Sequence, residues 1–132
     1  MRAGDSFFSR DRFGMRHLYV VISDPTKLDD TRFAGYVFLV MLSTREHHKE
    51  DACVLKQGDH PFIDHDTVAV YRVPPALFGP LSDLQKSLDS GALKPSHPVS
   101  AVVLKRLREG YLKSRYQKDT IFQFLYRQGV IE

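Results

Sequence analysis

CVLKQGDHPFIDHDTVAVYR, residues 53–72, decides how the rest of the chain is read. Its second half alternates, with Val68 and Val70 on one face and Thr67, Ala69 and Tyr71 on the other, the period of a pleated strand. Ahead of that strand, Gly58, Asp59, His60, Pro61, Asp64, His65 and Asp66 form a charged turn, and Val54-Leu55 is a short strand before it. Further upstream lie two apolar runs, HLYVVIS (17–23) and VFLVMLST (37–44), each ending in hydroxyl residues. Continuous β-branched apolarity of this kind belongs to strands covered on both faces. Asp24-Pro25 stops the first run, because proline has no N–H for the ladder and Asp favours a turn. Phe7-Phe8, behind Gly4-Asp5, reads as the first strand. Short strands at this spacing predict a small barrel with chemistry or recognition on one rim.

Beyond Pro74-Pro75 the pattern turns helical. Ser82 is placed to cap a short helix through Leu88, with Gly91 as its stop. Pro98 suits the first turn of a second helix, whose apolar stripe is Val99, Val102, Val103, Leu107 and Tyr111. Gly110 marks either the end of that helix or a close packing contact. Residues 118–128 form a third helical stretch that buries Ile121, Phe122 and Leu125, with Phe124 as a further candidate. The expected fold class is mainly β (α+β), a small barrel with C-terminal helices. A single domain covers residues 1–132, with the barrel over about 4–73 and the helical part over about 80–128.

With 132 residues, 42% of them hydrophobic and 27% charged, the chain can bury a core without disulfides or metal. Its one cysteine, Cys53, excludes an intrachain disulfide framework and fits a reducing compartment. No apolar run reaches the roughly 18–20 residues a membrane helix needs. The N-terminus carries charges where a signal peptide needs an apolar core. A cytoplasmic protein without a membrane partner is expected. The net charge of +3 is unevenly placed. Arg2, Arg10, Arg12 and Arg16 crowd the N-terminal arm, while Lys105, Arg106, Arg108, Lys113, Arg115 and Lys118 crowd one C-terminal stretch. Two such clusters can set counter-charges along a polyphosphate backbone. For the C-terminal cluster taken alone, the plain alternative is a solvated helix face.

Six histidines raise the question of metal. His60 and His65 stand among Asp59, Asp64 and Asp66, and His47-His48 are adjacent, yet no HExxH, CxxC or facial-triad spacing occurs. No metal site and no cofactor are predicted. The glycines form neither a P-loop nor a dinucleotide fingerprint. Cys53 lies in a strand without the surroundings that activate a thiol, and reads as buried. A rim constellation remains. Arg16 and His17 precede the first long strand, and Ser43 and Thr44 end the second. Antiparallel neighbours would bring these residues to one end, where Arg or His can stabilise phosphate charge and hydroxyls can bond its oxygens. His17 could also move protons near neutral pH. The plain alternative is that Ser43-Thr44 close a turn and Arg16 is solvated.

The ordered series of segments resembles the PemK/MazF family of toxins from bacterial toxin–antitoxin pairs. Gly4-Asp5 looks like that family's opening GD, HLYVVIS (17–23) like its R-P-x-V-V-L-S strand, VMLST (40–44) like its V-P-x-T-T segment, and DHDTVAVYR (64–72) like its later hydroxyl-strand-Arg segment. The resemblance covers about residues 4–75. It implies an SH3-like barrel, a homodimer, an antitoxin protein as partner, and RNA cleavage through the substrate's own 2′-hydroxyl without metal. Carried over residue by residue, the Thr slot falls on Ser43 with Thr44 beside it, and the Arg slot on His17 with Arg16 one residue away. Leu18 and Met41 stand where the family has proline. The implied catalytic set is therefore Arg16, His17, Ser43 and Thr44, with His60 from the charged turn ranked below them. RNA contacts are expected from Arg10, Arg12, Lys105, Arg106, Arg108, Lys113 and Arg115. The alternative is a non-catalytic SH3-like module that binds a protein through Tyr19, Tyr36 and Tyr71.

Overall fold

One long central strand organises the molecule. The computed structural model describes residues 1–11, 13–25, 35–45 and 50–131. Along them run β1 (Ser6–Arg10), β2 (Arg16–Val21), β3 (Tyr36–Thr44), β4 (Val54–Leu55), β5 (Thr67–Val70), β6 (Leu77–Pro80), α1 (Leu81–Asp89), β7 (Lys94–Pro95), α2 (Ala101–Lys113) and α3 (Asp119–Arg127). The strands pair antiparallel in the order β4-β5-β3-β2-β1-β7, with β6 also on β3. Among the described residues this is an α+β fold, a seven-stranded antiparallel sheet with three helices.

β3 can serve three neighbours because its apolar run contains neither Gly nor Pro. One edge carries β2; the other carries β6 over residues 36–39 and β5 over 41–44. Residues 37–43 are all buried, as two-sided apolarity requires. Phe38, Val40 and Leu42 face a core completed by Val103, Leu107 and Tyr111 of α2 and Ile121, Phe124 and Leu125 of α3. Val37 and Leu39 face the other way, into a smaller core with Phe7, Val21, Leu93 and Leu84 of α1. Helices thus cover both faces. Each aliphatic or Phe side chain removed from water contributes about 1.5–3 kcal/mol.

The expected closed or nearly closed barrel over residues 4–73 is corrected in two respects. The pairing path is open, ending at β4 and β7. Two of its strands, β6 and β7, come from beyond Pro74-Pro75, where only helices were expected. The sheet nevertheless curls. β4 and β5 are separated from β1 by β3 and β2, yet the β4–β5 loop reaches back so that Phe62 meets Phe8 edge-on at 4.8 Å.

The helix ends also differ from expectation. Ser82 lies inside α1, whose N-cap is Pro80 without a side-chain cap bond. In α2 the cap is Ser100, whose Oγ accepts from the Val103 N–H at 3.2 Å, so Pro98 stands outside the helix. α2 continues past Gly110, which settles that glycine as a packing contact. A Cβ there would lie 2.7 Å from Cys53 Cβ and would collide with the Tyr71 hydroxyl, which donates to the Leu107 carbonyl at 2.6 Å. Cys53 is buried, and burial pushes its thiol pKa up. Among the described residues, no helix is long and apolar enough to cross a membrane.

Candidate active site at the end of β2 and β3

The register pairs Leu18 with Leu42 and Tyr19 with Met41. Extended to the sheet's end, it sets His17 beside Ser43 and Arg16 beside Thr44. All four residues line one cavity of about 220 Å³, together with Phe62 and His65 from the β4–β5 loop. Strand alternation divides them. Arg16 and Thr44 leave the sheet on the Leu18 and Leu42 face, whereas His17 and Ser43 leave on the Tyr19 and Met41 face.

Arg16 is exposed but held. Its guanidinium carbon lies 4.3 Å from the Phe8 ring centroid and 5.0 Å from that of Phe62. Such contacts contribute about 0.5–1 kcal/mol each at exposed sites and leave the positive charge unneutralised. No carboxylate among the described residues pairs with it. His17 Nε2 lies 3.0 Å from Asp11 Oδ2. Asp11 in turn accepts from the backbone N–H of Phe13 at 2.8 Å and of Met15 at 3.0 Å, which shapes the β1–β2 turn. The His17 hydrogen bond, aided by those amides, holds the Asp11 carboxyl below the usual carboxylate range.

A second imidazole comes from the loop. His65 Nδ1 is 2.5 Å from Asp64 Oδ1, and Nε2 is 2.9 Å from Thr44 Oγ1. With the carboxylate accepting at Nδ1, a neutral ring offers the Nε2 lone pair, and the Thr44 hydroxyl donates to it. Carboxylate, imidazole and hydroxyl then stand in a line suited to proton transfer. The loop is fixed locally by the Thr67 hydroxyl, which donates to the His65 carbonyl at 3.0 Å as β5 begins opposite Thr44.

His60 does not line this cavity. It is 3% exposed, accepting the Phe62 N–H at Nδ1 (3.0 Å) and donating from Nε2 to the His97 carbonyl at 2.7 Å. Ser6 Oγ donates to the same carbonyl and lies 3.4 Å from His60 Nε2. His60 is a staple between the loop and β1, with the His97 ring 6.5 Å away. Burial pushes its imidazole below the ordinary value of 6.5. The unfolded chain therefore takes up this proton first as pH falls. The stability His60 contributes is complete above about 6.5 and is lost as pH drops through the lower folded value. Urea unfolding between pH 7.5 and 5 is expected to show a falling midpoint that flattens in His60→Gln; an unchanged slope in the variant would remove this role.

The remaining expected RNA contacts are spread over the surface. Arg10 sits opposite Arg16 and donates to the Gly14 carbonyl at 2.7 Å. Lys105 faces Glu109 at 3.9 Å. Arg106 ties α2 to Asp59 and to the Val54 carbonyl, and Arg108 Nε donates to the Ile22 carbonyl at 2.9 Å. Lys113 and Arg115 border a separate cavity with Glu50 and Asp51. None of these five C-terminal cations lines the 220 Å³ cavity, and Arg106 and Arg108 are struts between helix and sheet. Arg12, His47 and His48 lie outside the described residues. Among the described residues there is no group of three or more His, Cys, Asp or Glu able to hold a metal ion.

Sequence reasoning did not assign His65, Asp64, Asp11 or Phe62 to the site. The signal available was DHDT directly ahead of β5, which becomes readable once Thr67 is known to pair with Thr44. Of the three tyrosines named for the alternative reading, Tyr71 is fully buried, while Tyr19 and Tyr36 are half-buried against the cores. Set beside known proteins, the chain matches no family model, no curated protein and no solved structure.

Proposed function

We propose that this protein is a metal-independent endoribonuclease acting on single-stranded RNA, a divergent relative of the PemK/MazF toxins. The observation that carries this reading is the lining of one cavity: a guanidinium with no carboxylate partner among the described residues, two imidazoles each hydrogen-bonded to a carboxylate, and the hydroxyls of Ser43 and Thr44 beside that of Thr67. Such a set can perform transesterification. On substrate binding the Thr44 hydroxyl turns from His65 Nε2 to a phosphate oxygen. The freed Nε2 takes the proton of the substrate 2′-hydroxyl as the 2′-oxygen bonds to phosphorus and the bond from phosphorus to the 5′-oxygen breaks. His17, protonated, supplies the proton to the leaving 5′-oxygen. Arg16, Ser43 and Thr44 hydrogen-bond the oxygens on which charge develops. The exposed Phe62 offers a face for a neighbouring base, worth about 1–3 kcal/mol in stacking. The curled sheet supports kinship with SH3-like barrels, and the homodimer and antitoxin partner implied by the family likeness belong to the same proposal.

Labelled single-stranded RNA incubated with the protein in excess chelator is expected to yield fragments ending in 2′,3′-cyclic phosphate. The rate should follow a bell-shaped pH profile, because one imidazole must be neutral and the other charged. RNA that stays intact at high protein concentration, across sequences that sample all dinucleotides, would sink the proposal. Cleavage that stops on chelation would replace it with a metal mechanism.

A further inference from the structure

A second cavity, of about 320 Å³, lies on the other side of Arg16, lined by Phe8, Ser9, Arg10, Arg16 and Lys94 among others. Its charges are arranged against the ordinary rules of sheet pairing. Arg10 and Arg16 are direct cross-strand partners, and like charges so placed repel. Lys94 is the partner of Phe8 across β1 and β7. Because Phe8 and Arg10 are two apart on β1, the side chains of Arg10, Arg16 and Lys94 project from the same face of the sheet. No carboxylate among the described residues pairs with any of the three. Arg10 is steadied by the Gly14 carbonyl, and Arg16 by the Phe8 and Phe62 rings, so neither contact cancels charge. Three cations on one face without a carboxylate partner among the described residues, two of them directly opposed, are relieved by a bound anion.

We propose that this cavity binds a second phosphodiester of the RNA strand, next to the one that is cleaved, with Arg16 touching both. The inference rests on the nuclease reading for the identity of the strand, and it narrows the substrate to oligonucleotides that carry at least two phosphodiesters. Lys94 and Arg10 then supply binding rather than chemistry. Their loss weakens capture of an oligonucleotide without slowing cleavage of a dinucleotide, which has a single phosphodiester.

The test is fluorescence anisotropy with an uncleavable 2′-O-methyl RNA over a range of salt, so that binding is read independently of cleavage. In Lys94→Gln and in Arg10→Gln the slope of log affinity against log salt is expected to shrink by about 0.7 each, one phosphate contact per residue. Both positions are exposed, and thermal melting checks that the fold is retained. In parallel, KM for an oligonucleotide should rise several-fold while the rate on a dinucleotide stays unchanged. Unchanged slopes in both variants would overturn the inference, even if RNA is cleaved normally. A 5′-mononucleotide that binds as tightly as the strand would also overturn it, because one phosphate would then saturate the pocket. Strand binding with shrinking slopes but no cleavage of ordinary RNA would remove the nuclease reading and leave this binding site standing.

Discussion

The double change Arg16→Ala with His17→Ala is expected to lower the cleavage rate about ten-thousandfold or more, since loss of one charge-stabilising donor costs about 10²–10³ and loss of a general acid about 10²–10⁴. The two residues stand on opposite faces of β2, so in the proposed reaction they would act separately, Arg16 at the phosphate oxygens and His17 at the leaving group. The single changes should therefore behave differently. Arg16→Ala should lower the rate at every pH and weaken strand binding, because its guanidinium borders both cavities. His17→Ala should remove one limb of the pH profile. His65→Ala should remove the other limb, and Thr44→Val should have a smaller effect, because Thr44 positions His65 through its 2.9 Å hydrogen bond. Single-turnover kinetics on one RNA read all four. Full activity in the double variant would place the chemistry elsewhere, even if cleavage itself is real.

Phe38→Ala is expected to destabilise the fold by about 3–5 kcal/mol, the range for emptying a large aromatic from a core. Phe38 is fully buried on β3 and packs edge-on against Tyr111 of α2 at 5.7 Å and Phe78 of β6 at 6.2 Å. Phe78 continues the chain of rings to Phe124 of α3 at 5.1 Å. A cavity at Phe38 therefore loosens the sheet and two helices at once. A domain of this size holds about 5–15 kcal/mol in total, so the variant should unfold at much lower urea. A shift below about 1 kcal/mol would show that β3 does not organise the core. Leu39→Ala, on the opposite face against α1, empties the smaller core and should cost less, about 2–3 kcal/mol.

The sequence alone determined the elements whose pattern is local and long enough to repeat. The apolar runs that became β2 and β3 read as strands covered on both sides, and that requires only the absence of polar positions along them. The helices at α2 and α3 followed from stripes at helical spacing, although Val102 of the first stripe is 69% exposed and Val99 lies ahead of α2. The rim of Arg16, His17, Ser43 and Thr44 was legible because antiparallel neighbours place a residue before one strand beside a residue after the next, and the register agrees.

Other features arise from partners distant along the chain. β7 is two residues long, too short to show any period, and exists because β1 offers it an edge. β6 follows two prolines and is a strand because half of β3 was left uncovered by β5. His60 and His65 stand in the same turn with similar neighbours in sequence, and nothing local separates them. Contact with Ser6 and His97 buries one as a staple; contact with Thr44 opens the other onto the cavity. Arg106 and Arg108 looked like part of a basic face, and became struts because Asp59 and the Val54 and Ile22 carbonyls lie within their reach. Periodicity is written into the order of residues, whereas burial and partnership depend on what long-range folding brings within a few ångströms.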